Sequence, residues 1–144
     1  MVHQLIYGSS SQAVFSEPEL LALLSKARVN NSQLGVTGML LYHDRSFLQI
    51  LEGEEDSVED LFARISLDPR HSGVTVFLRD EAHEREFGDW SMAFHALTAG
   101  DSTEGFHELY ALPEGTVRSR TVLAFMRSFR KVMQCGELST HSAK

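Results

Sequence analysis

The sequence is poor in cysteine and contains no run of eighteen consecutive apolar residues. The single cysteine, Cys135, excludes an internal disulfide framework and is typical of a reducing compartment. A membrane-spanning helix needs about 20 predominantly apolar residues, and the start of the chain lacks the basic segment and apolar run of a secretion signal. We therefore expect a cytoplasmic protein with no membrane segment.

Basic residues are also scarce, with 13 Lys and Arg against 20 Asp and Glu and a net charge of -7. This balance disfavours a nucleic-acid binder, which neutralises phosphates with clustered Lys and Arg. Seven His occur without an HExxH pattern or paired cysteines, which disfavours a metal site. There is no GxSxG nucleophile motif and no GxxxxGK[ST] phosphate loop, and the GSSS segment at residues 8–11 is predicted to be a turn. We therefore do not expect an enzyme.

What is present suffices for one folded core. The chain has 144 residues, 42% of them hydrophobic, and one domain typically has about 100 to 200 residues. Strand-like patterns occur at residues 2–7, 34–42, 47–51, 73–78 and 90–94. Helical patterns run from a capping box at Ser16 and Glu19 to about residue 30, and then over residues 56–68, 106–112 and 116–133.

The order β-α-β-β-α-β followed by a fifth strand predicts a ferredoxin-like α+β sheet with both helices on one face. The C-terminal helical pair is predicted to cover the other face. The longer helix of that pair has an apolar stripe at helical spacing, formed by Val122, Phe125, Met126, Phe129, Val132 and Met133. We expect residues 1–98 to form the sheet domain and residues 99–144 to be a helical extension of the same globule.

Two polar residues are predicted to point inward from neighbouring strands. Gln49 lies on the same strand face as Phe47 and Leu51, and Tyr7 lies beside Leu5. The first and third strands are adjacent in this order, so the phenol and the amide can meet. Buried polar groups cost about 1 to 3 kcal/mol unless they are hydrogen-bonded. A mutual hydrogen bond explains both residues without any function.

Polar residues also lie near the end of each predicted helix. Asn30 and Asn31 follow the first helix, where Asn is a common terminator, but their carboxamides also offer donors and acceptors to a planar heterocycle. Arg64 and Asp68 lie four residues apart, a spacing that suits an ordinary surface ion pair or leaves Arg64 to bind a phosphate. The pattern alone leaves these alternatives open.

Several of these features occur together and in order over residues 2–94. They are Tyr7, Asn30-Asn31, the run LGVTGMLLY from Leu34, the segment FLQILEG from Phe47, Arg64 with Asp68, and Trp90-Ser91-Met92. In this order and at these spacings the chain resembles the BLUF domains, which are sensors of blue light using FAD. Each feature is weak alone, and the set is specific.

The resemblance implies that FAD binds between the two helices, with FMN and riboflavin as alternatives that share its ring. The cofactor-binding residues would be Leu23, Asn30, Asn31, Gln49, Arg64, Ile65 and Asp68. Leu23 and Ile65 would sandwich the ring, and Asn31 would bond its carbonyl edge. Arg64 with Asp68 would hold the ribityl-phosphate end.

The resemblance further implies that Tyr7, Gln49, Trp90 and Met92 are the photoactive residues. Excited flavin is a strong oxidant, so Tyr7 would transiently give up an electron and a proton. Gln49 carries both a donor and an acceptor, so its rotation or tautomerisation would change the group facing the flavin and shift absorption to the red. Period two puts Trp90 and Met92 on one face of the fifth strand, and which of them faces the flavin is open. Trp90 is also a competing electron donor.

The leading hypothesis is a blue-light photoreceptor, not an enzyme, that signals to a separate and unidentified partner protein. A second copy of the chain is another candidate partner. The alternative is a ferredoxin-like small-ligand-binding or hydrolase domain without photochemistry, because this sheet hosts many functions. A third class is a purely structural interaction module. Reversible colour change under blue light distinguishes the first hypothesis from the others.

Overall fold

The computed structural model describes residues 1–11, 15–69, 71–88, 92–97 and 109–135. The strands are β1 (Val2–Ser11), β2 (Thr37–His43), β3 (Ser46–Gly53), β4 (His71–Ala82) and β5 (Ala93–Ala96). The helices are α1 (Glu17–Leu34), α2 (Glu55–Ser66) and α3 (Thr116–Cys135), with a 3-10 turn at Leu109–Ala111. Within these ranges, no helix combines the length and apolar character that crossing a membrane requires.

The five strands form one mixed sheet in the order β4-β1-β3-β2-β5. Neighbouring strands are antiparallel except β2 and β5, which run parallel. This confirms the predicted ferredoxin-like α+β order with a fifth strand at its edge. In the register of the neighbouring strands β1 and β3, Tyr7 and Gln49 lie directly opposite each other.

Strand alternation divides the buried residues between the two faces of the sheet. Leu5, Tyr7 and Leu51 pack in one cluster with α1 and α2, whereas Ile6 and Ile50 pack in the other with α3. Complete burial of each such aliphatic side chain stabilises the fold by roughly 1.5 to 3 kcal/mol. Each face of the sheet therefore has its own apolar layer.

The α3 helix covers the second face, as the apolar stripe predicted. Val122, Met126 and Phe129 are buried against Phe77 and the sheet, and Phe125 is partly buried beside them. Of the first predicted piece of the helical pair, the described part is the 3-10 turn, whose Leu109 joins the same cluster. Residues 106–108 lie outside the described residues, and so do the side chains of residues 132 and 133.

The end of α1 differs from the prediction. The helix starts at the predicted capping box, in which Ser16 and Glu19 satisfy each other's backbone N–H groups. It does not stop at residue 30 but continues to Leu34 and ends at Gly35, which has φ of 69°. Glycine adopts this left-handed conformation without the steric cost that other residues meet, so Gly35 ends the helix.

Three strand predictions are also corrected. The segment at residues 8–11 is not a turn, because Ser9 pairs with Phe47 of β3 and β1 continues to Ser11. Ladder hydrogen bonds on both sides of this central strand override the turn preference of serine. The fourth strand is longer than predicted, and the fifth begins at Ala93 rather than at residue 90. Met92 therefore precedes the fifth strand.

Candidate functional site

A cavity of about 270 Å³ opens between α1 and α2. It is lined by Leu23, Lys26, Ala27, Asn30, Asn31, Gln49, Leu61, Arg64, Ile65 and Asp68. All seven residues predicted to bind a cofactor are in this set, so the fold brings them together. Their individual roles toward a ligand remain predictions.

The lining of the cavity repeats one helical spacing on both helices. On α1 the positions are 23, 26, 27 and 30; on α2 they are 61, 64 and 65, and Asp68 continues the spacing just after the helix ends at Ser66. This is the i, i+3, i+4, i+7 pattern of one helix face, so the two helices present matching stripes to each other. Lys26, Ala27 and Leu61 also line the cavity and were not predicted to, although extending the stripe from Leu23 and Ile65 predicts all three.

The cavity has an apolar middle and a polar rim. Leu23 and Ile65 are half-buried and come from opposite helices, whereas Arg64 is exposed and Asp68 is half-buried. Asn31 is buried in the last turn of α1, and its backbone oxygen accepts a hydrogen bond from Val36 N–H at 2.9 Å. Neither Asn31 nor its neighbour ends the helix, so the capping explanation for the Asn pair is wrong.

Tyr7 meets Gln49, which lines the cavity. The Tyr7 hydroxyl donates to Gln49 Oε1, which leaves the amide nitrogen of Gln49 free to donate elsewhere. Gln49 Nε2 lies 3.2 Å from the Met92 sulfur and donates to it. All three side chains are buried, with exposed fractions of 2%, 6% and 1%. The direction of each hydrogen bond is therefore set by protein groups rather than by bulk water.

The profile of the family described as sensors of blue light using FAD matches residues 2–93 of this sequence. The match extends over more than half of the chain and contains the Tyr7 and Gln49 pair and both cavity helices. The chain belongs to the BLUF family. The family is one of sensors, in agreement with the prediction that the chain is not an enzyme.

Relatives of this BLUF domain include larger proteins. The alpha subunit of photoactivated adenylate cyclase from Euglena gracilis is 36% identical over 97 residues, which are 63% of this chain and 9% of that protein. The blue light- and temperature-regulated antirepressor BluF of Escherichia coli K12 is also 36% identical over 97 residues, 67% of this chain and 24% of that protein. The chain thus spans less than a quarter of the length of either relative.

Solved BLUF structures have the same fold. BlsA in its photo-activated state superposes with a TM-score of 0.74 at 27% identity and covers 88% of this chain and 95% of that chain. BlrB, a BLUF protein in its dark state, gives a TM-score of 0.68 at 29% identity, with 85% and 96% covered. The α+β sheet described above is therefore the BLUF fold.

FAD is the cofactor of the BLUF family, and the chemistry of the cavity suits a flavin. A flavin ring is flat and apolar on its faces, with donors and acceptors at its edge. Leu23 and Ile65 would offer apolar contact from two helices, and the buried amides of Asn31 and Gln49 would offer donors and acceptors to the edge of the ring. The guanidinium of Arg64 at the rim suits a phosphate.

Of the four predicted photoactive residues, Tyr7, Gln49 and Met92 form one chain of hydrogen bonds. Trp90 lies outside the described residues. The prediction that Met92 lies on the fifth strand is wrong, because Met92 directly precedes β5, which begins at Ala93. The sulfur of Met92 is the group that faces Gln49 in this structure.

A second polar cluster, outside the cavity, joins α2 to β1 and β4. The two ring nitrogens of buried His3 lie 2.7 Å from carboxylate oxygens of Glu81 and Glu59, and the Glu55 carboxylate is close by. A carboxylate only accepts, so His3 donates from both nitrogens when it is protonated. Burial alone lowers the pKa of His3, but the hydrogen bonds and charges of the two glutamates outweigh it and raise the pKa. Arg79 donates to Glu59 at 2.9 and 3.2 Å and lowers the pKa of that carboxyl.

Proposed function

We propose that this BLUF domain is a blue-light receptor in which Tyr7 and Gln49 form the light-responsive pair. The observation that carries the proposal is the buried hydrogen-bond chain from the Tyr7 hydroxyl through the Gln49 amide to the Met92 sulfur, in which Gln49 also lines the cavity. The Gln49 amide accepts from Tyr7 at one end and donates to Met92 at the other, so turning the amide changes both hydrogen bonds.

The cofactor is held by side chains of both helices. Leu23 and Ile65 sandwich the ring, and Asn31 bonds its polar edge, with Asn30 as a supporting contact. Arg64, with Asp68, binds the ribityl-phosphate end at the open rim. This assignment is supported by the apolar middle and polar rim of the cavity.

When bound, the flavin supplies absorption of blue light and a strong oxidant in its excited state. Tyr7 holds a phenolic proton, and Gln49 Oε1 is positioned to receive it. The other end of Gln49 donates to a thioether sulfur, which is a weak acceptor. Breaking this weak hydrogen bond costs little free energy, so the amide can turn or tautomerise.

Turning the Gln49 amide exchanges the positions of its oxygen and nitrogen. Nε2 then faces Tyr7, which must accept instead of donate, and Oε1 faces the Met92 sulfur, which cannot donate to it. The reversed arrangement thus loses the contact with Met92. This loss is the route by which a change at Tyr7 reaches the segment that leads into β5.

We further propose that the signal passes to another protein. The first candidate for the contact surface is α3, and a second copy of the chain is a candidate partner. The support is the naming of relatives as a photoactivated cyclase and a light-regulated antirepressor, in which a BLUF segment accompanies an output.

Absorption spectroscopy tests the photochemical part. Purified protein supplied with FAD should be yellow, and blue light should shift its visible band to the red and reversibly so in the dark. Tyr7→Phe and Gln49→Leu should retain the flavin and lose the shift. Tyr42→Phe, a buried tyrosine on the same face, and Gln33→Leu, an exposed glutamine on α1, are matched controls that should respond as wild type. A persistent shift in both pair variants would refute the assignment.

A further inference from the structure

Arg28 joins α1 to the segment that enters β5. Its Nε–H donates to the backbone oxygen of Met92 at 2.7 Å, across 64 positions of the chain. The side chain is half-buried, and burial lowers the pKa of the guanidinium. The sequence predicts no role for Arg28, because its partner is a backbone oxygen far along the chain.

Met92 is held at three points. Its carbonyl accepts from Arg28, its sulfur accepts from Gln49, and its methyl group lies above Gly38, where an added Cβ would come within 3.3 Å of it. The same Cβ would come within 1.9 Å of the Ile50 carbonyl oxygen, so this position has room only for glycine. Met92 is therefore closely packed against its neighbours.

The three contacts differ in strength. The bond from Gln49 ends on a thioether sulfur, which is a weak acceptor, and the methyl contact has no direction. The bond from Arg28 is charge-assisted and is therefore the strongest. It also reinforces a short element, because β5 has four residues and lies at the edge of the sheet that the described strands form.

We propose that Arg28 is a positioning residue for the light response: by holding the Met92 backbone it keeps the sulfur against Gln49 and so favours the dark orientation of the amide. The inference rests on the proposed function. Without Arg28, the sulfur no longer has a fixed place, and the dark orientation loses the contact that distinguishes it from the reversed one. The reversed state then returns more slowly.

The rate of dark recovery after blue illumination tests this role. Arg28→Met should bind FAD and shift its absorption, and should recover about threefold to tenfold more slowly, since part of the lost preference for the dark state appears in the barrier. Arg28→Lys can still donate to the carbonyl and should recover faster than Arg28→Met. Arg120→Met removes an exposed arginine of α3 and should recover at the wild-type rate.

A double-mutant cycle separates positioning from general damage. In a Met92→Leu background there is no sulfur to place, so Arg28→Met should change recovery little there. Slowing by the same factor in both backgrounds, or a wild-type rate in Arg28→Met, overturns the inference. Should Arg28→Met not fold, Arg28→Gln, whose amide is too short to replace the guanidinium, has the same expected outcome. If the wild-type protein shows no light response at all, the proposed function is contradicted, and the inference about Arg28 with it.

Discussion

Replacing Glu52 with alanine should strongly destabilise this BLUF domain without touching the cavity. Glu52 lies on β3 and is completely buried on the sheet face that α3 covers. Its carboxylate accepts from Gln4 Nε2 at 2.7 Å, from Phe87 N–H at 2.8 Å and from Glu86 N–H at 2.9 Å. One side chain therefore fixes both a neighbouring strand and the loop after β4.

The magnitude follows from the donors that alanine would leave unpaired. The Gln4 amide and the Phe87 N–H are buried, and each costs about 1 to 3 kcal/mol without an acceptor. The loss should thus be roughly 2 to 6 kcal/mol, with the partly buried Glu86 N–H adding little because water can reach it. A central value near 4 kcal/mol is a large part of the 5 to 15 kcal/mol typical of a domain, and at a urea slope of about 2 kcal/mol/M it lowers the midpoint by about 2 M.

Urea unfolding followed by circular dichroism measures this loss, at one fixed FAD concentration because ligand binding shifts apparent stability. Glu52→Gln keeps an oxygen for the backbone donors, and Gln4 can turn its own amide to match. It should therefore lose only about 1 kcal/mol. Glu84→Ala removes an exposed carboxylate of the same loop and should change stability by under about 0.5 kcal/mol. A Glu52→Ala loss no larger than that of Glu84→Ala would refute the anchoring role.

Two further predictions concern stability. Folding raises the pKa of His3, so the stability that its protonation contributes is complete below the usual pKa of 6.5 and is lost as pH rises through the raised pKa. The urea midpoint of the wild type should therefore fall from pH 6 to 9. His3→Gln should make that fall smaller. An equal fall in both proteins would contradict the cluster's role. Gly38→Ala should lower the free energy of unfolding by over about 3 kcal/mol, because the added Cβ would lie 1.9 Å from the Ile50 oxygen. At Gly35 an added Cβ meets nothing within 4 Å. Gly35→Ala should therefore lose only about 1 to 2 kcal/mol, the backbone cost of a φ of 69°. Thermal unfolding of the two variants compares them, and similar losses would argue against a steric cause at Gly38.

The face of each strand could be predicted because alternation is a local property. The pattern placed Tyr7 with Leu5 and opposite to Ile6, and the packing confirms it. The meeting of Tyr7 with Gln49 needed only one more step, the adjacency of β1 and β3 in a ferredoxin-like order. The hydrogen bond between phenol and amide was therefore within reach of sequence reasoning.

Element ends were less predictable, because competing signals lie close together. Asn30, Asn31 and Gly35 lie within six residues, and each is a plausible helix terminator. The helix was predicted to end at the two asparagines. Gly35 ends the helix because the left-handed conformation costs it least. At Ser9 and Ser11 the local turn preference was clear, but pairing with β3 at Ser9 and with β4 at Ser11 outweighed it.

Glu52 shows what the pattern can and cannot reveal. Period two places it on the face opposite Gln49, so a charged residue forced inward was visible in the sequence in the same way as the amide three positions earlier. Its partners were not, since two of them are backbone N–H groups more than thirty positions later in an irregular loop. The same holds for Arg28 and the Met92 carbonyl. Alternation predicts that a buried polar residue must have a partner, but when the partner is backbone it carries no residue type to recognise, and only the folded chain identifies it.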